Sequence, residues 1–207
     1  MGFYKSYIRI ATYTCIDGKS NPIASSDRWW KGWYLLDAIV VREPLIAVLN
    51  HSDSYVRSLA ANALGKIGTS QAMEALIAAL NHSDSYVRSL AANALGNIGN
   101  AQAVEPLIAA LNDSGSYVRR QAANALGNIG NFQSVEALIA GLNHSDYDVR
   151  CQTAAVLGNI GNAQAVEALI AGLNHSDYDV RCQAAVALGN IGNFQAVEAL
   201  SRGGTSA

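Results

Sequence analysis

Charge is scarce in this chain of 207 residues, with 14% Asp, Glu, Lys and Arg and a formal net charge of −2. Such a near-neutral chain sets up no long-range field to draw it to nucleic acid or to an anionic membrane. Aromatic residues make up 7% and are thin inside the repetitive part, and the three cysteines are an odd number that argues against a disulfide framework. No apolar run reaches membrane-spanning length. The N-terminal MGFYKSYIRIATYT also lacks the apolar stretch of a secretory signal, so a soluble cytoplasmic protein is the expectation. Phosphate loops, nucleophile elbows and paired metal-ligand motifs are absent too.

Repetition is what the chain has in abundance. SYVRSLAANALGKIG at residues 54–68 returns as SYVRSLAANALGNIG at 85–99, and with small edits in copies ending at Gly130, Gly161 and Gly192, a period of 31 residues. Self-similarity at that spacing predicts stacked supersecondary units, an extended solenoid without a single central core. Within one period, Ala72, Met73, Leu76, Ile77 and Leu80 form one apolar helical stripe, helix A. After the polar turn Asn81-His82-Ser83-Asp84, the residues Val87, Leu90, Ala91, Ala94, Leu95 and Ile98 form a second stripe on a longer helix B. Ser or Asp ahead of helix B is an N-cap signal, and Ser145-Asp146-Tyr147-Asp148 reads as a capping box with an acidic third member. Gly99 and its equivalents suit a left-handed helix end, and the inner Gly96 column suits close helix packing.

The string Val118-Arg119 through Leu142, VRxxAAxALGxIGxxxAVxxLIxxL with Ser134 in the first Ala place of its second half, resembles the short HEAT-like repeat named after phycobilisome lyases. The resemblance spans about residues 35–200. It implies an all-α, right-handed α-solenoid of HEAT-like antiparallel helix pairs with helix B lining the concave face. Members of that family range from bilin lyase subunits to general adaptors, and they use the concave face for binding.

The copies differ mainly along one face of helix B. Its columns are Tyr55, Tyr86, Tyr117; Ser58, Ser89, Arg120, Cys151, Cys182; Asn62, Asn93, Asn124; and Lys66 followed by asparagines, with Tyr147 and Tyr178 one position earlier in the last two copies. Residues 55, 58, 62 and 66 share a face opposite the apolar stripe. Tyr and Asn offer contact area and adaptable hydrogen bonds. These positions are therefore the expected concave surface for another protein, which the resemblance narrows to a phycobiliprotein or a second lyase subunit. No cofactor, nucleic acid or membrane is expected, since Lys66 and Arg120 stand nearly alone as basic residues on that face.

Arg57, Arg88, Arg119, Arg150 and Arg181 each follow a Val and lie four residues after Asp53, Asp84, Gly115, Asp146 and Asp177. A structural ladder of Arg bonded to Asp or to turn carbonyls is expected. At Gly115, either Asp113 substitutes or the joint is looser. His51, His82, His144 and His175 recur too far apart to share an ion. Ser follows each, not the Glu of HEAT-type di-iron hydroxylases, so they read as polar turn residues. Cys151 and Cys182, one period apart, exceed disulfide reach and read as two free, partly exposed thiols.

Three regions follow: a divergent N-terminal cap at 1–34, the solenoid at 35–200, and a disordered tail at 201–207. Subtracting one period puts Trp29, Trp33 and Leu36 on the columns of Ala60, Leu64 and Ile67, a degenerate helix B; residues 1–21 fit either alternation or a short helix. A last helix A begins at Ala196 with no helix B after it, so its apolar edge favours end-to-end self-association.

Overall fold

In the computed structural model, which describes residues 45–203, residues 45–48 are helical and ten α-helices follow. They are α1 (Ser54–Ile67), α2 (Ser70–Ala79), α3 (Ser85–Ile98), α4 (Val104–Ala110, entered through a 3-10 turn at Ala101–Ala103), α5 (Ser116–Ile129), α6 (Phe132–Gly141), α7 (Tyr147–Ile160), α8 (Ala163–Gly172), α9 (Tyr178–Ile191) and α10 (Phe194–Gly203). Odd-numbered members are helix B and even-numbered ones helix A. Residues 45–48 with α1 form the first unit, and the pairs α2/α3, α4/α5, α6/α7 and α8/α9 form the next four. No strand occurs among the described residues.

Local chemistry sets the helix ends. The Asp53, Asp84, Asp146 and Asp177 side chains accept backbone N–H bonds at the starts of α1, α3, α7 and α9. Asp146 is itself the N-cap, which leaves Asp148 at the second helical position, and the capping box expected from Ser145 does not form. Every helix B closes on a glycine with φ between 59° and 71°, the left-handed region that costs glycine least. Thr69, Asn131 and Asn162 cap the A helices at Ala72, Ser134 and Ala165.

Packing then turns the units into a curved stack. Leu64, Leu95, Leu126, Leu157 and Leu188 of helix B are fully buried, as are Leu76, Leu107, Leu138 and Leu169 of helix A. Each contributes about 2 kcal/mol through removal from water. Successive B helices lie directly against each other, whereas successive A helices barely touch. A stack tight on its B side and open on its A side bends toward B, which makes the exposed helix-B surface concave. The glycine column allows that approach: a Cβ on Gly96 would stand 2.6 Å from the Ala125 Cα and 2.7 Å from its Cβ. Where Thr153 replaces alanine in the fourth unit, Gly141 replaces the Ala79 and Ala110 of earlier A helices; a Cβ there would come within 2.6 Å of the Thr153 methyl.

Helix α10 runs through Ser201 to Gly203, so the segment read as a tail begins as helix, with the Ser201 hydroxyl donating to the Glu198 carbonyl. The expected cap at 1–34, with Trp29 and Trp33, and residues 204–207 lie outside the described residues.

Candidate functional site on the concave helix-B face

Five tyrosines stand out along the concave rim: Tyr55 is 68% exposed, Tyr86 40%, Tyr117 54%, Tyr147 49% and Tyr178 67%. Asn62, Lys66, Asn93 and Arg120 are exposed, while Ser58, Asn124, Cys151 and Cys182 are half-buried. Ser89 departs from the expectation. It is 1% exposed, its hydroxyl donates to the Tyr86 carbonyl, and it is not available to a partner. The asparagines are partly committed to the scaffold: Asn93 Nδ2 donates to Gln121 Oε1 at 3.3 Å, and Gln152 Nε2 donates to Asn124 Oδ1 at 2.8 Å.

Behind this face runs the arginine ladder, which joins neighbouring units. Arg57 donates through Nη1 to the carbonyls of His51 and Ser52 in its own turn, and through Nη2 to Asp84 of the next unit at 2.7 Å. Arg119 reaches Asp146 in the same way, and Arg150 reaches Asp177. Arg181 donates only to its own turn carbonyls among the described residues. The third unit is not looser. Asp113, two residues ahead of the usual position, takes Nε and Nη2 of Arg88 at 2.7 Å each, a fork-to-fork pair with both side chains 12% exposed. In the regular joints the buried Nε of Arg57, Arg119 and Arg150 has no partner. The hydrogen bond with Arg88 holds the Asp113 carboxyl below the usual carboxylate range, against burial, with help from the Gly115 N–H.

The histidines are turn residues with a second duty. In His82, Nδ1 accepts the Asp84 N–H and Nε2 donates to Asn50 Oδ1 of the preceding turn; His144 with Asn112 and His175 with Asn143 repeat the bridge. Among the described residues no cluster of three or more His, Cys, Asp and Glu could hold a metal ion.

The fourth and fifth units carry a different surface. Tyr147 and Tyr178 sit one residue earlier in their helices than Tyr55, Tyr86 and Tyr117, a rotation of about 100°. Their rings meet Arg150 and Arg181, 6.0 and 5.5 Å from ring centroid to guanidinium carbon. Hydrogen bonding with Cys151 and Cys182 pushes both phenols up, and the negative charge of Asp179 adds to the effect. Both cysteines are free thiols.

Between α5 and α7 the face opens into a cleft of about 210 Å³ lined by Asn124, Gly127, Asn128, Val156, Asn159 and Ile160. Val156 stands where Ala94, Ala125 and Ala187 stand in other units, directly against Gly127. The sequence reading found Asn124 but not the cleft. The Ala-to-Val change in an otherwise constant column is the signal that marks it.

A sequence profile described as HEAT repeats matches residues 40–95, 73–143 and 135–206. Among solved structures, the chain is similar to the complex of CpcE and CpcF of phycocyanin lyase from Nostoc sp. PCC7120. The identity is 27%, the match covers 89% of this chain and 84% of that one, and the TM-score is 0.49. It is also similar to an engineered protein at 29% identity, over 79% of this chain and 85% of that one, with a TM-score of 0.48. No curated protein matches. Neither structure superposes closely enough to carry a functional argument.

Proposed function

Since this chain belongs to the HEAT-repeat family, we propose that it is a non-catalytic scaffold whose concave helix-B face grips another protein. One observation carries the reading. Copy by copy, most packing positions keep their identity, Thr153 and Val156 being exceptions, while the columns of Tyr55, Ser58 and Asn62 on the helix-B face change from the first three units to the last two, so the variation is concentrated on the surface the solenoid presents. The tyrosines supply the contact area, and Arg120 and Lys66 supply positive charge in the first three units. The half-buried Asp148 and Asp179 make the far end acidic, so the partner should present acid toward the first units and base toward the last. No described helix is long and apolar enough to cross a membrane.

Affinity capture from the source cell, followed by mass spectrometry, tests this. One partner retained by the native chain and lost on Tyr86→Ala or Arg120→Glu supports it, and capture indifferent to both changes refutes it.

A second reading rests on the repeat wording at Val118–Leu142, which resembles that of bilin lyase subunits. In that reading the face holds a phycobiliprotein, with or without a second lyase chain, during attachment or removal of its pigment. Co-expression with an apo-phycobiliprotein and a bilin source then yields a coloured covalent adduct or faster pigment loss. An unchanged pigment yield removes this reading and leaves the scaffold intact.

A further inference from the structure

The cleft between α5 and α7 is walled by the last two turns of both helices, with Asn124, Gly127 and Asn128 on one side and Val156, Asn159 and Ile160 on the other. Its lining divides by chemistry. Val156, 4% exposed and set against Gly127, makes an apolar base with the half-buried Ile160. The other side chains are amides. Asn128 and Asn159 are exposed and bond to no other described residue, whereas Asn124 Oδ1 already accepts from Gln152 Nε2. No residue of the lining is charged.

Both walls are helix C-termini, where the last carbonyls have no intrahelical donor and the aligned peptide dipoles leave negative potential. A basic side chain in the last turn is the natural complement. Among the described B helices the chain supplies one in α1, as Lys66, and none in the last turn of α3, α5, α7 or α9. At the place of Lys66 those four helices carry Asn97, Asn128, Asn159 and Asn190, of which the middle two line the cleft. Arg120, exposed on α5, stands two turns or about 12 Å back from Asn128, where salt screens it from the cleft.

We infer that this cleft is a subsite for one arginine side chain of the protein partner. The assignment rests on the scaffold reading and names one contact within it. A volume of about 210 Å³ is smaller than the roughly 300 Å³ at which small-molecule pockets begin, and it suits a single side chain. The methylene stem lies on Val156 and Ile160 while the head stays at the polar rim. There the flat guanidinium offers donors to the Oδ1 atoms of Asn128 and Asn159, one on each wall, and to the last-turn carbonyls. Lysine fits less well, because its ammonium is a strongly hydrated point charge and the cleft holds no carboxylate to replace that water. A carboxylate or phosphate would meet two negative helix ends with no base beside them. An apolar side chain would displace water from the amides without replacing its bonds.

The test is a titration of the full chain with the acetylated, amidated tripeptide Ala-Arg-Ala, read by NMR at the Val156 methyls and the Asn128 and Asn159 side-chain amides. Saturable shifts are expected, and the citrulline peptide, equal in shape but uncharged, should bind about tenfold more weakly. Two variants at one exposed position should act in opposite directions. Asn159→Lys gives α7 the base that α1 has in Lys66 and should abolish the shifts without lowering the thermal midpoint. Asn159→Asp adds a carboxylate and should tighten the arginine peptide about tenfold, with a steeper loss on adding salt. Absence of shifts up to the solubility limit of the peptide, citrulline binding as tightly as arginine, or equal affinity in the two variants overturns the inference. A cellular partner lost on Tyr86→Ala or Arg120→Glu but held by Asn159→Lys also overturns it and leaves the scaffold reading standing.

Discussion

The joint between the second and third units and the joint between the third and fourth use the same positions with opposite results. At the first, Gly96 lies against Ala125, and Arg88 meets Asp113 through two parallel bonds with every guanidinium nitrogen used. At the second, Gly127 lies against the larger Val156, Arg119 reaches Asp146 through Nη2 while its buried Nε has no partner, and a cleft opens on the concave side. One methyl-bearing column and one displaced carboxylate distinguish the two joints. Local stability in a solenoid is a sum over such neighbours. The two joints therefore need not open together.

The sharpest break is steric. Gly96→Ala puts a methyl 2.6 Å from a backbone atom of α5, which must shift, and should cost about 3 kcal/mol. Native-state hydrogen exchange should show α3 and α5 losing protection first; exchange spread evenly over all units would contradict the account.

Next in size is the fork. Asp113→Ala leaves Arg88 half-buried without its carboxylate and removes the acceptor of the Gly115 N–H, in a helix whose N-cap has no side-chain bond of its own. The expected cost is about 2 kcal/mol, discounted for partial exposure. Because the folded Asp113 carboxyl is held low, its contribution is complete above the unfolded value of about 3.9 and disappears as pH falls from there through the folded value. Urea midpoints between pH 6 and 2 should fall less steeply for Asp113→Asn than for the native chain. Asp146 and Asp177 are also held low, so a residual slope remains in that variant. For Asp146, burial opposes the shift and the Val149 N–H and Arg119 outweigh it; for Asp177, the hydrogen bond to Arg150 leads.

Val156→Ala should bring the second of these joints toward the first. About 1 kcal/mol of burial is lost, partly recovered as α5 and α7 close. Crosslinking between cysteines placed at Asn128 and Asn159 should become faster, and an unchanged rate would mean that Val156 does not hold the cleft open. The smallest effect is electronic. Cys151→Ala removes the main cause of the raised Tyr147 phenol, so an ultraviolet titration should move one tyrosine toward its ordinary range. A titration curve that does not move would show the thiol contact to be incidental.

Much of this was readable in the residues. The 31-residue period, the two apolar stripes, the capping aspartates and the closing glycines all act within a few residues of chain, and all appear where the pattern places them. The Tyr and Asn columns lie on an exposed face for the same reason: helical geometry alone sorts positions 55, 62 and 66 from 60 and 64. Ser89 was not readable, because its burial depends on how closely the neighbouring units approach. Asp113 was readable only as one of two alternatives, since choosing between them requires the reach of Arg88 across a joint.

Sequence by itself determined that this chain is a stack of helix pairs and which positions face inward, since caps, periodicity and glycine angles are properties of short stretches. Tertiary structure alone decided which unit each arginine serves and where a cleft lies between units. An arginine side chain spans the gap between neighbouring turns, so Arg57 finds Asp84 in the next unit and not Asp53 in its own. That choice depends on the separation of packed helices, which no single repeat contains.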